Sequence, residues 1–248
     1  MSLVQNAIYL AWADTKARYK KSVIGPFWPT LTNVFGILGL GLVWGTLLKQ
    51  DMQTFIPQLT VGLIAWQLIA GALTDGPQTF VRHAGMVRNV SMPFWFFSVR
   101  ALAKHLINLM HNLVILVSVM LYYKVPLTEN TWLVLPGLLL VTLNLYWILH
   151  GLGLVGARFR DIELLITSLV PLLFFISPVI YRADQLPAAL NVVWLNPFSY
   201  MIEAIRTPML GNAPDFLTWY VLIAMLLIGS CFTWMYQRTQ GKNLAFWV

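Results

Sequence analysis

Charge is what this chain has least of. Of its 248 residues 10% are Asp, Glu, Lys or Arg, with 9 acidic side chains against 16 basic ones. A soluble domain keeps about a quarter of its residues charged, so a water-soluble fold is excluded. Cysteine is nearly missing too: Cys231 stands alone, which excludes an intrachain disulfide and any multi-cysteine metal site. There is no G-x-x-x-x-G-K-[ST] phosphate loop, since the one Gly-Lys pair, Gly241-Lys242, is followed by Asn, so this chain cannot be its own ATPase. H-E-x-x-H and G-x-S-x-G do not occur, and His83, His105, His111 and His150 lack metal-ligand spacing. The first residues have no short apolar core followed by a small-residue cleavage site, so no removable signal peptide is expected.

What the chain has is apolar length. Residues 22–48, 52–74, 105–123, 130–157, 164–181 and 216–237 are free of Asp, Glu, Lys and Arg. Each comes close to, or exceeds, the roughly 20 residues a helix needs to cross a hydrocarbon core of about 30 Å. With 58% hydrophobic residues and a mean hydropathy of +0.71, this predicts an all-α polytopic membrane protein. The expectation is one transmembrane domain, 1–248, with spans at 30–48, 55–74, 105–123, 132–156, 163–181 and 217–236. Residues 185–202 are also uncharged, but Pro187, Asn191, Asn196, Pro197 and Ser199 break a helix and would leave polar groups in lipid. The region 185–210 is therefore expected to be a re-entrant pair of short helices, with Glu203 and Arg206 on one face.

Basic residues sort by side. Lys16, Arg18, Lys20, Lys21, Arg82, Arg88, Arg100, Lys104, Arg158, Arg160, Arg238 and Lys242 fall in one set of connections, and Lys49, Lys124, Arg182 and Arg206 in the other. Lys and Arg are retained in the cytoplasm during insertion, so both termini are expected there and the number of spans is even. The +7 net charge then reflects topology beside anionic lipid, and nucleic acid is not an expected partner.

Two basic-side segments exceed simple connections. In 3–21, Val4, Ile8, Trp12, Thr15 and Tyr19 form a stripe at helical spacing, which suits a helix lying in the headgroup layer. Residues 78–93 are too polar to cross, long enough for a short helix, and end at Pro93, so they suit contact with a soluble partner. Asp161 and Glu163 point apart on a helix, and Arg158 and Arg160 stand beside them as salt-bridge partners. Ionisable residues deep in the spans are nearly absent, which argues against proton or sodium coupling. Aromatic rings within spans, Phe35, Trp44, Trp66, Trp147, Phe174 and Phe175 among them, serve either as packing or as a lining on which sugars stack. Gly41-x-x-x-Gly45 lets the first span approach a neighbour closely.

Four segments, Arg18-Tyr19-Lys20-Lys21-Ser22-Val23-Ile24-Gly25 with Phe27-Trp28, Ala157-Arg158-Phe159-Arg160-Asp161-Ile162, Ser177-Pro178-Val179-Ile180-Tyr181, and Asn196-Pro197 with Ile202-Glu203-Ala204-Ile205-Arg206, occur in that order. In this the chain resembles the membrane permease subunits of ABC-2 type transporters that export O-antigen, capsular polysaccharide and teichoic acid. Pro26 and Pro29 depart from the pattern and predict a kinked start to the first span.

The resemblance implies a homodimer working with two copies of a separate ATPase that binds ATP and magnesium, with no cofactor in this chain. It places ATPase coupling at 78–93 (Arg82, His83, Met86, Arg88), to which Arg158, Arg160 and Asp161 are added, and gate helices at 185–210 (Asn196, Pro197, Glu203, Arg206). Conduit candidates are Phe35, Trp44, Trp66, Phe174, Phe175 and Tyr181. Arg18, Lys20 and Lys21 would attract the diphosphate of a polyprenyl-linked glycan at the inner membrane of a bacterium. A permease of the same fold for a drug or small lipid is the alternative, and an intramembrane sugar or acyl transferase a more distant one. The latter needs convergent polar residues at one depth, which the linear sequence does not show.

Overall fold

The computed structural model describes residues 2–20, 22–47, 49–90, 92–181 and 193–248, and all regular structure among them is helical. The helices are α1 (Leu3–Arg18), α2 (Trp28–Leu47), α3 (Met52–Asp75), α4 (Ala84–Asn89), α5 (Phe94–Tyr122), α6 (Val134–Arg158), α7 (Asp161–Ile176), α8 (Pro197–Met209), α9 (Phe216–Gln240) and α10 (Leu244–Trp247). Five segments, Trp28–Leu47, Met52–Gln78, Phe94–Tyr122, Glu129–Arg158 and Phe216–Trp247, are long and apolar enough to cross a membrane. The expected span at 163–181 is represented by α7, which at 16 residues is shorter than these.

Helix ends follow local chemistry more than charge. The third span starts at Phe94, with Pro93 as its N-cap, rather than at residue 105. Arg100 and Lys104 do not end it because each has a carboxylate partner, Asp14 and Asp75. At the kinked start expected before the first span, Gly25 takes φ +62°, a 3-10 turn covers Gly25–Phe27, and α2 begins at Trp28. Ser2 caps α1: its Oγ accepts from Gln5 N at 3.2 Å, and Gln5 Oε1 accepts from Ser2 N at 2.8 Å.

α3 is the central helix. Leu59, Ile69 and Ala72 are fully enclosed by α2, α5, α6, α7 and α8. Lipid tails are as apolar as leucine, so this packing is held by close contact and hydrogen bonds rather than by escape from water. Gly41 and Gly45 provide the close approach expected of them: a Cβ at Gly41 would lie 2.6 Å from Ile56 Cδ1, and one at Gly45 2.5 Å from Met52 Cε. His150 ties α5 to α9, with Nδ1 2.6 Å from Ser98 Oγ and Nε2 2.8 Å from Gln237 Oε1.

A second cluster gathers where the basic residues collect. Phe80, Phe96, Phe97, Leu154, Ala157, Leu244 and Val248 bury one another, with Ala7 of α1 at their edge. α1 lies on α5 through the fully buried Ala7 and Ala11, leaving Val4, Ile8, Tyr9 and Trp12 about half exposed.

Candidate functional site

At the basic end, α1, the start of α2, α3 and α5 enclose a polar cavity of about 290 Å³. α3 contributes Gln67, Gly71 and Thr74, and α5 contributes Lys104, Asn108 and His111. Both sets run at i, i+4, i+7, which places each along one helical face. α1 adds Thr15, Arg18 and Tyr19, so the interface helix forms a wall of the cavity. Its Trp12 ring stacks on His111 at 6.4 Å, and Phe27 meets the same ring edge-on at 5.3 Å.

Asp75 is the electrostatic centre. Its carboxylate accepts from Lys104 Nζ and from Arg82 Nη1, the latter at 2.7 Å, so two permanent cations share one anion. His105 Nε2 lies 3.1 Å from Asp75 Oδ2, close enough for attraction but not aligned as a hydrogen bond. Gly71 makes room for this: a Cβ there would be 2.6 Å from His105 Nδ1. Arg18 has no ion pair among the described residues, so the cavity keeps surplus positive charge beside a partly neutralised cluster.

Gln67 links the cavity to an amide triad inside the bundle. Asn33 Nδ2 donates to Gln67 Oε1 at 2.6 Å and to Asn112 Oδ1 at 3.0 Å, and Asn112 Nδ2 donates to Gln67 Oε1 at 2.7 Å. One carboxamide from each of α2, α3 and α5 is thereby satisfied by the others. Convergent polar residues at one depth exist after all, contrary to the reading of the linear sequence. Each stands alone in an apolar segment, and only packing joins them.

The predicted coupling residues collect on the same end. In the connection after α3, Arg82 reaches Asp75, and Met86 Sδ lies 3.8 Å from Arg100 Nη1. His83 Nδ1 lies 3.0 Å from Thr79 O, with its ring 5.7 Å from that of Phe97, and burial pulls its pKa below the ordinary histidine value. Arg88 donates to the Val248 carbonyl, Arg160 donates to Trp247 O at 2.9 Å, and the Arg158 guanidinium sits 5.3 Å from the Trp247 ring centroid. The segment 244–248 thus bridges the two connections, a role the sequence reading missed. The expected salt bridges within residues 158–163 do not form among the described residues. Arg158 and Arg160 are drawn to the tail instead, Glu163 accepts from Gln78, and Asp161 opens α7 without an ion pair.

The gate candidates form a packed corner. Asn196 caps α8 through Phe198 N at 3.1 Å and donates to Ser177 Oγ at 2.8 Å, with Pro197 as the first helical residue. Arg206 is 4% exposed, pairs with Glu203 at 3.1 Å and donates to the Pro178 carbonyl. The first part of the expected gate region, residues 185–192, lies outside the described residues, with Pro187 and Asn191 in it, as does Arg182.

The aromatic candidates divide. Trp66 is 7% exposed and packs against Phe174 at 5.8 Å, inside this chain's own core, with Trp44 partly buried against the same core. Phe35 on α2 and Phe175 on α7 are each 65% exposed and face away from it. Tyr181 donates to Ile176 O at 2.9 Å, closing the turn after α7. Of the three diphosphate candidates, only Arg18 lines the cavity; Lys20 does not, and Lys21 lies outside the described residues. In the sequence Lys104 counted only toward topology, His105 only as an isolated histidine and Asn108 not at all, although the i, i+4, i+7 spacing of 104, 108 and 111 was there to be read.

A family profile described as ABC-2 type transporter matches residues 5–210. The O-antigen export system permease protein RfbA of Klebsiella pneumoniae is 28% identical over 205 residues, covering 78% of this chain and 75% of that protein. A protein of the same name from Myxococcus xanthus is 26% identical over 178 residues, covering 70% of this chain and 67% of that one. With a profile match that runs from the interface helix to the end of α8, on a scaffold of long apolar helices, the chain belongs to the ABC-2 type transporter family and is a multi-pass membrane component of a transporter, not an enzyme.

Proposed function

We propose that this chain is the permease subunit of an ATP-driven exporter that carries polyprenyl-diphosphate-linked polysaccharide, O-antigen foremost, across the bacterial inner membrane. Membership of the family implies an ATP-hydrolysing ABC partner. Two permeases and two ATPases form the working unit, with ATP and magnesium on the ATPases.

The observation that carries the reading is the basic cavity walled by α1. A lipid-linked diphosphate in the inner leaflet presents concentrated negative charge at headgroup depth. Arg18 and Lys104 meet it there, and Gln67, Asn108 and Thr74 offer neutral hydrogen bonds. The basic end is cytoplasmic, as the positive-inside rule requires. α7 makes the sixth crossing: 16 residues rise about 24 Å at 1.5 Å each, short of a core of about 30 Å, so residues 177–181 and α8 fill the outer edge of the membrane. Phe35 with Leu38 on α2, and Leu172 with Phe175 on α7, leave apolar faces for a second copy, and the glycan passes between the protomers. The coupling connection and the 158–163 segment receive the ATPase stroke and pass it to α3 through Arg82 and Asp75.

The test is co-expression of the chain with its ATPase in a strain lacking both, scored by surface polysaccharide. The intact pair restores it, and Arg18→Glu with Lys104→Glu removes it while the protein remains in the membrane. Absence of ATPase activity in the purified pair, with unchanged surface polysaccharide in the deletion strain, overturns the proposal.

A further inference from the structure

A second polar cavity, of about 320 Å³, lies at the opposite end of α3 and α5 from the first. Its walls come from three places far apart in sequence: Gln53 and Gln58 at the start of α3, Tyr123 and Lys124 just after α5, and Asn212 just after α8. The parts are held in place locally. Lys124 takes φ +51° where the chain leaves α5, and Gly211 takes φ +87° in the turn after α8. The Gly211 carbonyl accepts from Thr128 Oγ1 at 2.8 Å, which pins the Asn212 turn to the connection before α6.

Gln58 distinguishes this cavity from an ordinary surface dent. It is 6% exposed, yet its carboxamide makes no hydrogen bond among the described residues and lines the cavity. Its amide atoms are not sealed inside the protein, so both the donor and the acceptor stay open to a molecule held in the cavity. The groups around it are also chemically selective. Three carboxamides offer paired donors and acceptors, Tyr123 brings an aromatic ring, Lys124 is the single cation, and no carboxylate lines the cavity. A diphosphate carries too much charge for one ammonium to balance. Paired hydroxyls on a ring with an apolar C–H face match amides beside a phenol.

We propose that this cavity is a binding site for one glycosyl unit, which Gln58, Gln53 and Asn212 hold by adjacent ring hydroxyls. It rests on the export reading above for its outward orientation and for the supply of sugar on that side. A volume near the lower end for small-molecule sites suits a single sugar ring rather than an extended chain. The site would retain the glycan briefly after it leaves the conduit and oppose its return.

The test is saturation-transfer NMR on the permease–ATPase complex in nanodiscs, without nucleotide, using methyl glycosides of glucose, galactose, mannose, rhamnose and glucuronic acid. At least one glycoside should receive transfer, and Gln58→Leu should weaken its binding by about fivefold, as expected for the loss of a net hydrogen bond or two. Gln53→Ala, on the exposed rim, serves if Gln58→Leu does not fold, and it should weaken the same signal. Cys231→Ala, on the exposed face of α9 and outside both cavities, should leave it unchanged. No transfer to any glycoside, or equal transfer in wild type and both cavity variants, overturns the proposal. So does loss of copurifying phospholipid from Gln58→Leu with glycoside transfer intact, which assigns the cavity to a lipid headgroup. Binding is read without export, so a complex that binds glycoside but exports no polysaccharide overturns the export reading alone.

Discussion

The two polar cavities sit at opposite ends of the same helix pair and differ in how their polarity is satisfied. At the basic end, Asp75, Lys104, Arg82 and His105 form a charged cluster, with Arg18 left over. At the far end the lining is amide, phenol and one lysine. Groups in a charged cluster depend on one another, because removing one ion strands another inside the protein, whereas neutral amides lining an open cavity can be lost singly. The first cavity should therefore resist substitution far less than the second, and the same cluster joins the membrane helices to the segment after α3.

That contrast is most easily broken at its centre. Asp75→Asn leaves Lys104 and Arg82 without their shared carboxylate and should destabilise the protein by about 3 kcal/mol, the scale for stripping one partner from a largely buried pair. Thermal unfolding of the nanodisc-held chain measures it. Adding Lys104→Met should recover part of the loss, and a double variant no better than the single one would dissolve the idea of a mutually dependent cluster.

Next is the tail. Deleting residues 244–248 removes the bridge from Arg88 to Arg158 and Arg160, so the two connections should move independently. Export per ATP hydrolysed should fall about tenfold, equivalent to 1.4 kcal/mol of coupling, with basal hydrolysis retained. Equal export and hydrolysis in the truncated and full chains would reduce the bridge to simple packing.

The amide triad should be a smaller contributor. Asn33→Leu removes two of the three interhelical hydrogen bonds of the triad, and at about 0.6 kcal/mol each the expected loss is about 1 kcal/mol.

His83 gives the cluster's surroundings a mild pH dependence. Its folded pKa lies below the unfolded value, so its contribution to stability is complete above the unfolded pKa, near 6.5, and is lost as pH falls toward the depressed folded value. The melting temperature should decline over that window, and His83→Phe should flatten the decline. At the far end, Lys124→Gln should change stability by no more than about 0.5 kcal/mol, the usual range for a surface substitution. A loss as large as that of Asp75→Asn would erase the difference between the two cavities.

Much of the architecture was readable in advance because a lipid solvent leaves few options for the backbone. Uncharged runs overlap α2, α3, α6 and α9, whereas Asn196 and Pro197, read as helix breakers, are the N-cap and first residue of α8. The start of α5 was missed because a charge in isolation reads as an end, whereas Arg100 and Lys104 are each matched by an acid from another segment. The pairing expected of Arg158 and Arg160 failed for the converse reason. Neighbouring acids looked sufficient, but the Trp247 ring and carbonyl, distant in sequence, are nearer in space. The aromatic candidates could not be sorted by type, since Trp66 in the core and Phe35 on the outside are equally apolar to a reader of sequence.

Composition and charge order alone settled that this is a helical chain built for lipid, because hydropathy is an additive property of residues. Which carboxylate answers which cation, and that three amides meet inside the bundle, was decided by packing. So was the docking of residues 244–248 across two connections. Those are relations between helices, and a linear chain holds them only as isolated polar residues until α3 is enclosed by its neighbours.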